Sequence, residues 1–289
     1  MIVTKENIHR RQRIQQFGYA LLTLIAVLTI IPILFILGYI FYRGLPALSW
    51  DFITTFPTDG LRAGGIFPAI LGTVLLTFVT TIFAVPIGIG AAIYLSEYAT
   101  ENNWTRTIRI AIINLAGIPS VVYGLFGLGA FVIFMQFGIS VLAGGLTLGI
   151  MTLPVIISAS EEALRAVPQS FRVVSISLGG TRWQTIRRIV LPQALSGIMT
   201  GVILGLERAA GETAPILFTA AVVYQPSLPN SFFDPTMALP YHLYTISTQV
   251  PGMPETLQYS TAMVLLIFVL GLNALATIIR ARARSRRQW

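Results

Sequence analysis

Residues 179–215 of this 289-residue chain read GGTRWQTIRRIVLPQALSGIMTGVILGLERAAGETAP. The first part is polar and basic, and it runs directly into an apolar segment. That segment carries three charged residues, Glu207, Arg208 and Glu212, near its end. A helix that crosses a bilayer needs about 20 mostly apolar residues. The stretch therefore predicts a basic loop that leads into a membrane helix, with charges placed inside the membrane.

The composition of the whole chain is typical of a membrane protein. Hydrophobic residues make up 55% and charged residues 10%, whereas soluble domains carry about 25% charged residues. So few charges cannot cover a surface in water, and much of the surface must therefore face lipid. This excludes a soluble enzyme, a secreted disulfide scaffold and a disordered chain. The chain has no cysteine, which excludes thiolate metal sites and a cysteine nucleophile.

Six segments are long and apolar enough to cross a bilayer, so we predict an all-α integral membrane protein with six transmembrane helices. The first segment is too long for the core of a signal peptide, and we expect it to remain as a helix. The predicted spans cover about 17–42, 66–95, 108–134, 139–159, 194–223 and 259–279.

The arginines predict the orientation of these helices. Sixteen of the 19 basic residues precede the first span, follow the last span, or lie in the loops after spans two and four. The positive-inside rule then places both termini in the cytoplasm. Membrane topology explains the net charge of +8, which argues against nucleic-acid binding.

Two loops are longer than simple connections. Residues 160–193 form a basic cytoplasmic segment, which we expect to be helical. Residues 224–258 lie outside, carry six prolines and contain no Lys or Arg. Proline restricts the conformations open to such a loop. We expect a short surface helix at 239–250 within it.

The charged residues of span five are candidates for a substrate path. Each such charge costs about 2.5–3.5 kcal/mol near the bilayer centre on insertion scales, and it usually faces a cavity. Arg208 and Glu212 are four apart and share a helix face, whereas Glu207 lies about 100° from Arg208 around the helix. The planar fork of arginine matches oxyanions such as phosphate. The alternative is a structural ion pair that holds this helix against a neighbour, and the two roles are compatible.

Span three contains a second candidate site, within the run GIPSVVYG at residues 117–124. Pro119 breaks the backbone hydrogen-bond ladder, and Ser120 and Tyr123 offer hydroxyl groups near the middle of the membrane. The alternative is that Gly, Pro and Ser serve close packing and a kink, as they often do in membrane helices.

The segment that begins at Gly179 and Gly180 resembles the cytoplasmic coupling loop of ABC importer permeases. That motif is Glu-Ala-Ala, three residues, Gly, nine residues, and Ile-x-Leu-Pro; Gly179, Ile189, Leu191 and Pro192 match it. The Glu-Ala-Ala part is absent, because 173–175 read Val-Val-Ser. The resemblance implies a short helix that docks on an ATPase. The alternative is an ordinary amphipathic helix on the membrane surface.

Four further motifs narrow the resemblance to the permease subunits of bacterial phosphate importers, over nearly the whole chain. They are GLPALSWDF at 44–52, PAILGT at 68–73, GIPSVVYGL at 117–125 and GETAP at 211–215. The resemblance implies the type I (MetI-like) ABC importer permease fold with an extra N-terminal helix. It divides the chain into an N-terminal part at 1–65, a permease domain at 66–280 and a basic tail at 281–289.

The same resemblance implies an inorganic phosphate importer that works by alternating access in the inner membrane of a bacterium. This chain would be a permease, not an enzyme, and hold no cofactor, because ATP-Mg binds to the partner ATPase. The implied partners are a PstC-like permease in a heterodimer, two PstB-like ATPases, a PstS-like external phosphate-binding protein and membrane lipid. By analogy, Arg208 and Glu212 match an intramembrane pair tied to transport.

Three other functions remain open from the residues alone. The cargo could be sulfate, molybdate or phosphonate, or the chain could be the PstC-type sister subunit. A passive anion channel needs no coupling loop, so the match at 179–192 weighs against it. An intramembrane enzyme is disfavoured, because both histidines, His9 and His242, lie outside the predicted spans.

Overall fold

The computed structural model describes residues 5–285. Residues 1–4 and 286–289, with the predicted cytoplasmic Arg286 and Arg287, lie outside the described residues. So do the side chains of the other basic residues in the two chain ends, and the cytoplasmic location of the termini stays a prediction.

The described chain is mostly helical, and its longest stretch without a helix is 220–238, between α10 and α11. A hairpin of two short antiparallel strands, β1 (Pro57–Thr58) and β2 (Ala63–Gly64), follows the second helix. Turns of π-helix extend α3 to Tyr98 and α5 to Phe134, and a third one joins α8 to α9. The helices are α1 (Lys5–Gly44), α2 (Trp50–Thr54), α3 (Phe67–Ile93), α4 (Asn103–Ala116), α5 (Ser120–Gly127), α6 (Val141–Arg165), α7 (Gln169–Ser177), α8 (Arg182–Thr185), α9 (Leu191–Gly211), α10 (Ala214–Thr219), α11 (Leu239–Thr248) and α12 (Glu255–Ser285).

The predicted number of membrane spans is confirmed. Five continuous helical segments are long and apolar enough to cross a bilayer, and the count is six when the bent pair of α4 and α5 is taken as one span. The continuous segments contain α1, α3, α6, α8 with α9, and α12.

Span three is not the single helix that we predicted over 108–134. The chain turns by 101° between α4 and α5. Pro119 precedes α5 with an extended backbone, φ −57° and ψ 138°. Because proline has no N–H and restricts the residue before it, a continuous helix through this position is disfavoured.

Span five begins and ends earlier than the predicted range of 194–223, because its continuous helical segment is Arg182–Gly211. Helix α9 ends at Gly211, and Glu212 adopts an extended backbone with φ −77° and ψ 136°. Pro215 then lies in the first turn of the short helix α10, where its missing N–H costs nothing.

The helices α3, α6 and α9 form the centre of the protein and pack closely against one another. Small residues permit this approach: Gly145 of α6 lies against Val79, and Gly201 of α9 lies against Ala159. Small residues at the contact let membrane helices pack through van der Waals contacts and short interhelical distances. This arrangement places α9, which carries the charged residues, in the middle of the fold.

The N-terminal helix α1 lies outside this centre. Its apolar side chains are exposed along most of its length, as expected for a helix that faces lipid. It joins the remainder only near its end, where Arg43 pairs with Glu255 and the rings of Tyr39 and Tyr259 meet edge to face at 5.6 Å.

The helix expected at 239–250 is present as α11, but it is not a surface helix. Six of its ten residues are buried, because it packs against α3, α9 and α12. The loop at 224–258 folds back onto the core, and the backbone N–H of Val222 donates to the carbonyl oxygen of Thr236. The polar, proline-rich sequence on both sides of α11 is typical of an exposed loop, so the sequence did not predict that this helix is buried.

We expect Gly72→Ala to destabilise the protein. A Cβ at this position in α3 would collide with the carbonyl oxygen of Met237 and the hydroxyl oxygen of Thr236. Overpacking against backbone costs about 3 kcal/mol. Thermal unfolding of the purified protein in detergent measures the change.

The matched control is Gly90→Ala in the same helix, where a Cβ meets nothing within 4 Å. Alanine is the better helix former, so this variant should unfold at the same temperature as the wild type or slightly higher. Equal melting temperatures for both variants would contradict the close contact at Gly72.

Candidate functional site

Arg208 and Glu212 form an ion pair at the end of α9. The Nε of Arg208 donates to Oε1 of Glu212 at 3.2 Å, as the four-residue spacing predicts. The side chain of Arg208 is 34% exposed and that of Glu212 is 18% exposed. The guanidinium therefore keeps donors that point away from its partner, and these can receive an anion. A role for this pair in transport stays a prediction.

The break between α9 and α10 opens a small cavity next to Glu212. Its lining includes Thr73 and Thr77 of α3, Leu148 of α6, and Ala238 beside α11. The cavity volume is about 10 Å³, which holds no more than a single water. An oxyanion does not fit, so the structure shows a closed arrangement around this carboxylate.

The two threonines of the cavity were missed in the sequence. Thr73, Thr77 and Thr81 follow one another at intervals of four residues, and each hydroxyl donates to the carbonyl oxygen four residues earlier. These bonds satisfy the hydroxyl protons inside an apolar helix. The signal that could have revealed them is the four-residue spacing of threonine hydroxyl groups within a predicted span.

Glu207 lies away from the Arg208–Glu212 pair. Its Oε2 accepts a hydrogen bond from Nδ2 of Asn273 at 3.2 Å, which connects α9 to α12. This position agrees with the rotation of about 100° between neighbouring residues of a helix. Glu207 therefore connects helices in this structure, and its predicted place on the substrate path stays untested.

The hydroxyl groups of span three have different surroundings. The hydroxyl of the buried Tyr123 donates to the carbonyl oxygen of Leu115 at 2.7 Å, so it bridges the two halves of the bent span. Ser120 is the half-buried first residue of α5. Gly124 approaches Pro215 of α10 closely. The bend thus brings span three beside the end of the charged segment.

The predicted coupling residues shape the loop that leads into span five. Gly179 has φ +85°, a conformation that favours glycine, and it ends α7. Next to it, the N–H of Gly180 donates to the carbonyl oxygen of Ser175. Ile189 lies in the π-helical turn before α9, and Leu191 and Pro192 form the first turn of that helix. The motif therefore marks the point where the loop becomes span five.

The outward face of α7 is apolar, although α7 belongs to the basic loop. Val173, Val174 and Ile176 are exposed, and so is Leu178, which directly follows α7 and is 84% exposed. A shallow cavity of about 430 Å³ lies beside this face, with Arg188 at its edge. An exposed apolar patch in a basic segment indicates a surface that a partner covers.

A second group of charged residues connects the ends of α3, α4 and α6. Arg109 of α4 donates to Glu101, Glu161 and the carbonyl oxygen of Leu95 at the end of α3. Arg165 also pairs with both carboxylates. The hydrogen bond from Arg109 lowers the pKa of Glu101. Spacing alone did not reveal this network, because its members come from separate helices.

The helix α11 covers the outer side of the cavity and contains a buried histidine. His242 is 3% exposed, and its Nδ1 has no hydrogen-bond partner among the described residues. Burial lowers its pKa from 6.5 to about 4, since a charged imidazolium loses its hydration inside the protein. The imidazole is therefore neutral at physiological pH.

Comparison with known proteins places this architecture among transport components. A family model described as "Binding-protein-dependent transport system inner membrane component" matches residues 84–287. A probable ABC transporter permease protein YqgI of Bacillus subtilis is 34% identical over 82% of this chain and 85% of its own length. The phosphate transport system permease protein PstA 1 of Mycobacterium tuberculosis is 38% identical over 78% of this chain and 73% of its own length. The phosphate transport system permease protein PstA of Xylella fastidiosa is 31% identical over 97% of this chain and 98% of its own length.

Solved structures share the fold at lower sequence identity. The MetNI methionine ABC transporter in an inward-facing conformation superposes with a TM-score of 0.62 at 19% identity, over 74% of this chain and 94% of that chain. A bacterial ABC transporter involved in the import of alginate gives 0.64 at 16% identity, over 95% and 99%.

We expect the stability of the protein to fall as the pH decreases from about 6.5 towards 4. The unfolded chain binds a proton at His242 in this range and the folded chain does not, so acid favours unfolding. The shift to about 4 corresponds to about 3 kcal/mol at most. Thermal unfolding from pH 7 to pH 4.5 measures it.

His242→Gln is the comparison variant, because glutamine does not titrate. The difference in melting temperature between wild type and variant should shrink or reverse as the pH falls. If the melting temperatures of wild type and variant change in parallel with pH, His242 does not contribute to the pH dependence of stability.

Proposed function

The chain belongs to the family of binding-protein-dependent transport system inner membrane components, and on that basis we propose that it is the permease subunit of an ATP-driven inorganic phosphate importer. The members of this family transport and do not catalyse. The observation that carries the proposal is the Arg208–Glu212 pair inside span five, beside a closed cavity. Relatives named as phosphate transport permeases support the cargo.

The chemistry of the pair fits phosphate. The guanidinium presents five N–H donors in a plane, and these match two oxygens of an oxyanion. Glu212 holds the guanidinium in place when no anion is bound. A phosphate that still carries a proton can donate it to the carboxylate, whereas fully ionised sulfate cannot. A site that needs this hydrogen bond discriminates against the ion that lacks it.

A second permease completes the path in this proposal. Arg208 remains partly exposed on the surface of a single chain, and a charge in the membrane requires a cavity or protein around it. A PstC-like subunit supplies that cover. A PstS-like protein delivers phosphate to the outer loops, from an inner-membrane orientation with both termini in the cytoplasm.

The ATPases act on the cytoplasmic loop. The apolar face of α7 and the arginines of α8 and the following turn offer a docking surface for a PstB-like subunit, one on each permease. ATP-Mg binds to those subunits, and this chain needs no cofactor. ATP shifts the population of transporter states only if the states bind it with different affinity, and α7 is where the permease senses that difference.

Arg208→Gln should reduce phosphate uptake about tenfold or more, because glutamine loses the charge and the fork that hold the anion. Uptake of labelled phosphate is measured in cells that make the complete transporter, with sulfate and molybdate as competitors. Membrane assembly with the ATPase is checked for each variant.

Arg106→Gln is the matched control, since Arg106 is an exposed arginine at the start of α4; it should transport normally. Normal uptake by Arg208→Gln would make Arg208 a structural charge. Preference of the wild type for another oxyanion would refute the phosphate assignment and leave the permease assignment intact.

Leu178→Glu should weaken the association between permease and ATPase about tenfold or more. Burial of a leucine contributes about 1.5–3 kcal/mol, and a tenfold change in affinity is about 1.4 kcal/mol. Co-purification of the ATPase from detergent measures the association. Leu178→Met keeps the apolar surface and should behave as wild type, so equal loss in both variants would contradict an apolar contact.

A further inference from the structure

Arg172 of α7 joins three helices at the cytoplasmic end of the fold. Its Nε and Nη2 donate to the two carboxylate oxygens of Glu97 at 3.0 and 2.6 Å. Its Nη1 donates to the carbonyl oxygen of Val167 at 2.7 Å, and Nη2 also donates to that of Leu164 at 2.9 Å. These carbonyl groups lie at or just beyond the end of α6, where helical partners are missing. One guanidinium thus connects α7 to α3 and α6.

Glu97 is placed where a carboxylate needs a partner. It lies in the π-helical turn Tyr94–Tyr98 that ends α3, and a negative charge is disfavoured at a helix C-terminus. The side chain of Glu97 is 7% exposed and that of Arg172 is 13% exposed. Removal of one partner would leave a buried charge without compensation. The pair therefore holds together two elements that are 75 residues apart in sequence.

Apolar packing alone does not attach α7 firmly to α3. None of the side chains of α7 is fully buried, and its contact with the apolar core is made by the partly buried Phe171. A cavity of about 380 Å³ opens between α7, α8 and the end of α3, and Glu97 and Arg172 form part of its lining. The ion pair crosses this gap and is the stiff connection between α7 and the second membrane span.

We propose that Glu97 and Arg172 are positioning residues that convert displacement of α7 into displacement of α3 and α6. The proposal rests on the proposed function, because an ATPase must move α7. A bidentate pair fixes both distance and angle, and networks of this kind between rigid elements carry coupling between distant sites. Without the pair, the ATPase continues to turn over but the membrane path no longer follows it.

The test measures phosphate transported and ATP hydrolysed in the same liposomes, which contain the complete importer and its binding protein. The variants are Arg172→Gln and the double variant E97Q/R172Q. The double variant has no buried unpaired charge, so it assembles even where the single variant is impaired. We expect the ratio of phosphate to ATP to fall about tenfold in the assembled variants, while ATP hydrolysis is retained.

Glu101→Gln is the matched control, because Glu101 pairs with Arg109 and Arg165 at the same membrane face and does not pair with α7. Its ratio should equal that of the wild type. If assembled E97Q/R172Q keeps the wild-type ratio of phosphate transported to ATP hydrolysed, the proposal is overturned. A parallel fall of transport and hydrolysis leaves that ratio unchanged and therefore also overturns it.

The experiment tests the assignment of phosphate as the cargo separately from the proposed role of Glu97 and Arg172. If the wild type transports a different oxyanion, the cargo is wrong, and the same ratio measured with that ion still decides the role of Glu97 and Arg172.

Discussion

Ionised groups persist in a membrane only when the protein itself supplies their partners, and the arrangement around Arg208 and Glu212 follows from this constraint. The pair lies where α9 ends, so that Glu212 leaves the helix and faces a cavity. Threonines of α3 and the buried start of α11 close the space around it. A bilayer cannot satisfy such groups, so the surrounding helices must pack tightly enough to exclude lipid.

Helix α9 directly connects the two groups of predicted site residues. It begins with Leu191 and Pro192 of the coupling motif and ends at Gly211, next to the charged pair. Its 21 residues extend over about 30 Å at 1.5 Å per residue. The helix therefore joins the loop that carries the predicted coupling residues to the Arg208–Glu212 pair.

The arginines that are predicted to be cytoplasmic also have a structural role. Two of them satisfy carbonyl groups at helix ends. Arg109 binds the carbonyl oxygen of Leu95 at the end of α3, and Arg172 binds that of Leu164 at the end of α6. The basic loop is therefore an ordered extension of the spans and presents α7 in a defined position.

The sequence by itself determined the membrane class, the number of spans, the basic loop before span five and the pairing of Arg208 with Glu212. These features depend on composition and on residues within one helical turn, and both can be read locally. Only the tertiary structure decided the 101° bend of span three, the burial of α11 and the contact of Arg172 with Glu97. Each of these depends on which distant segments pack together, because the partner that satisfies a proline break, a buried helix or a carboxylate lies elsewhere in the chain.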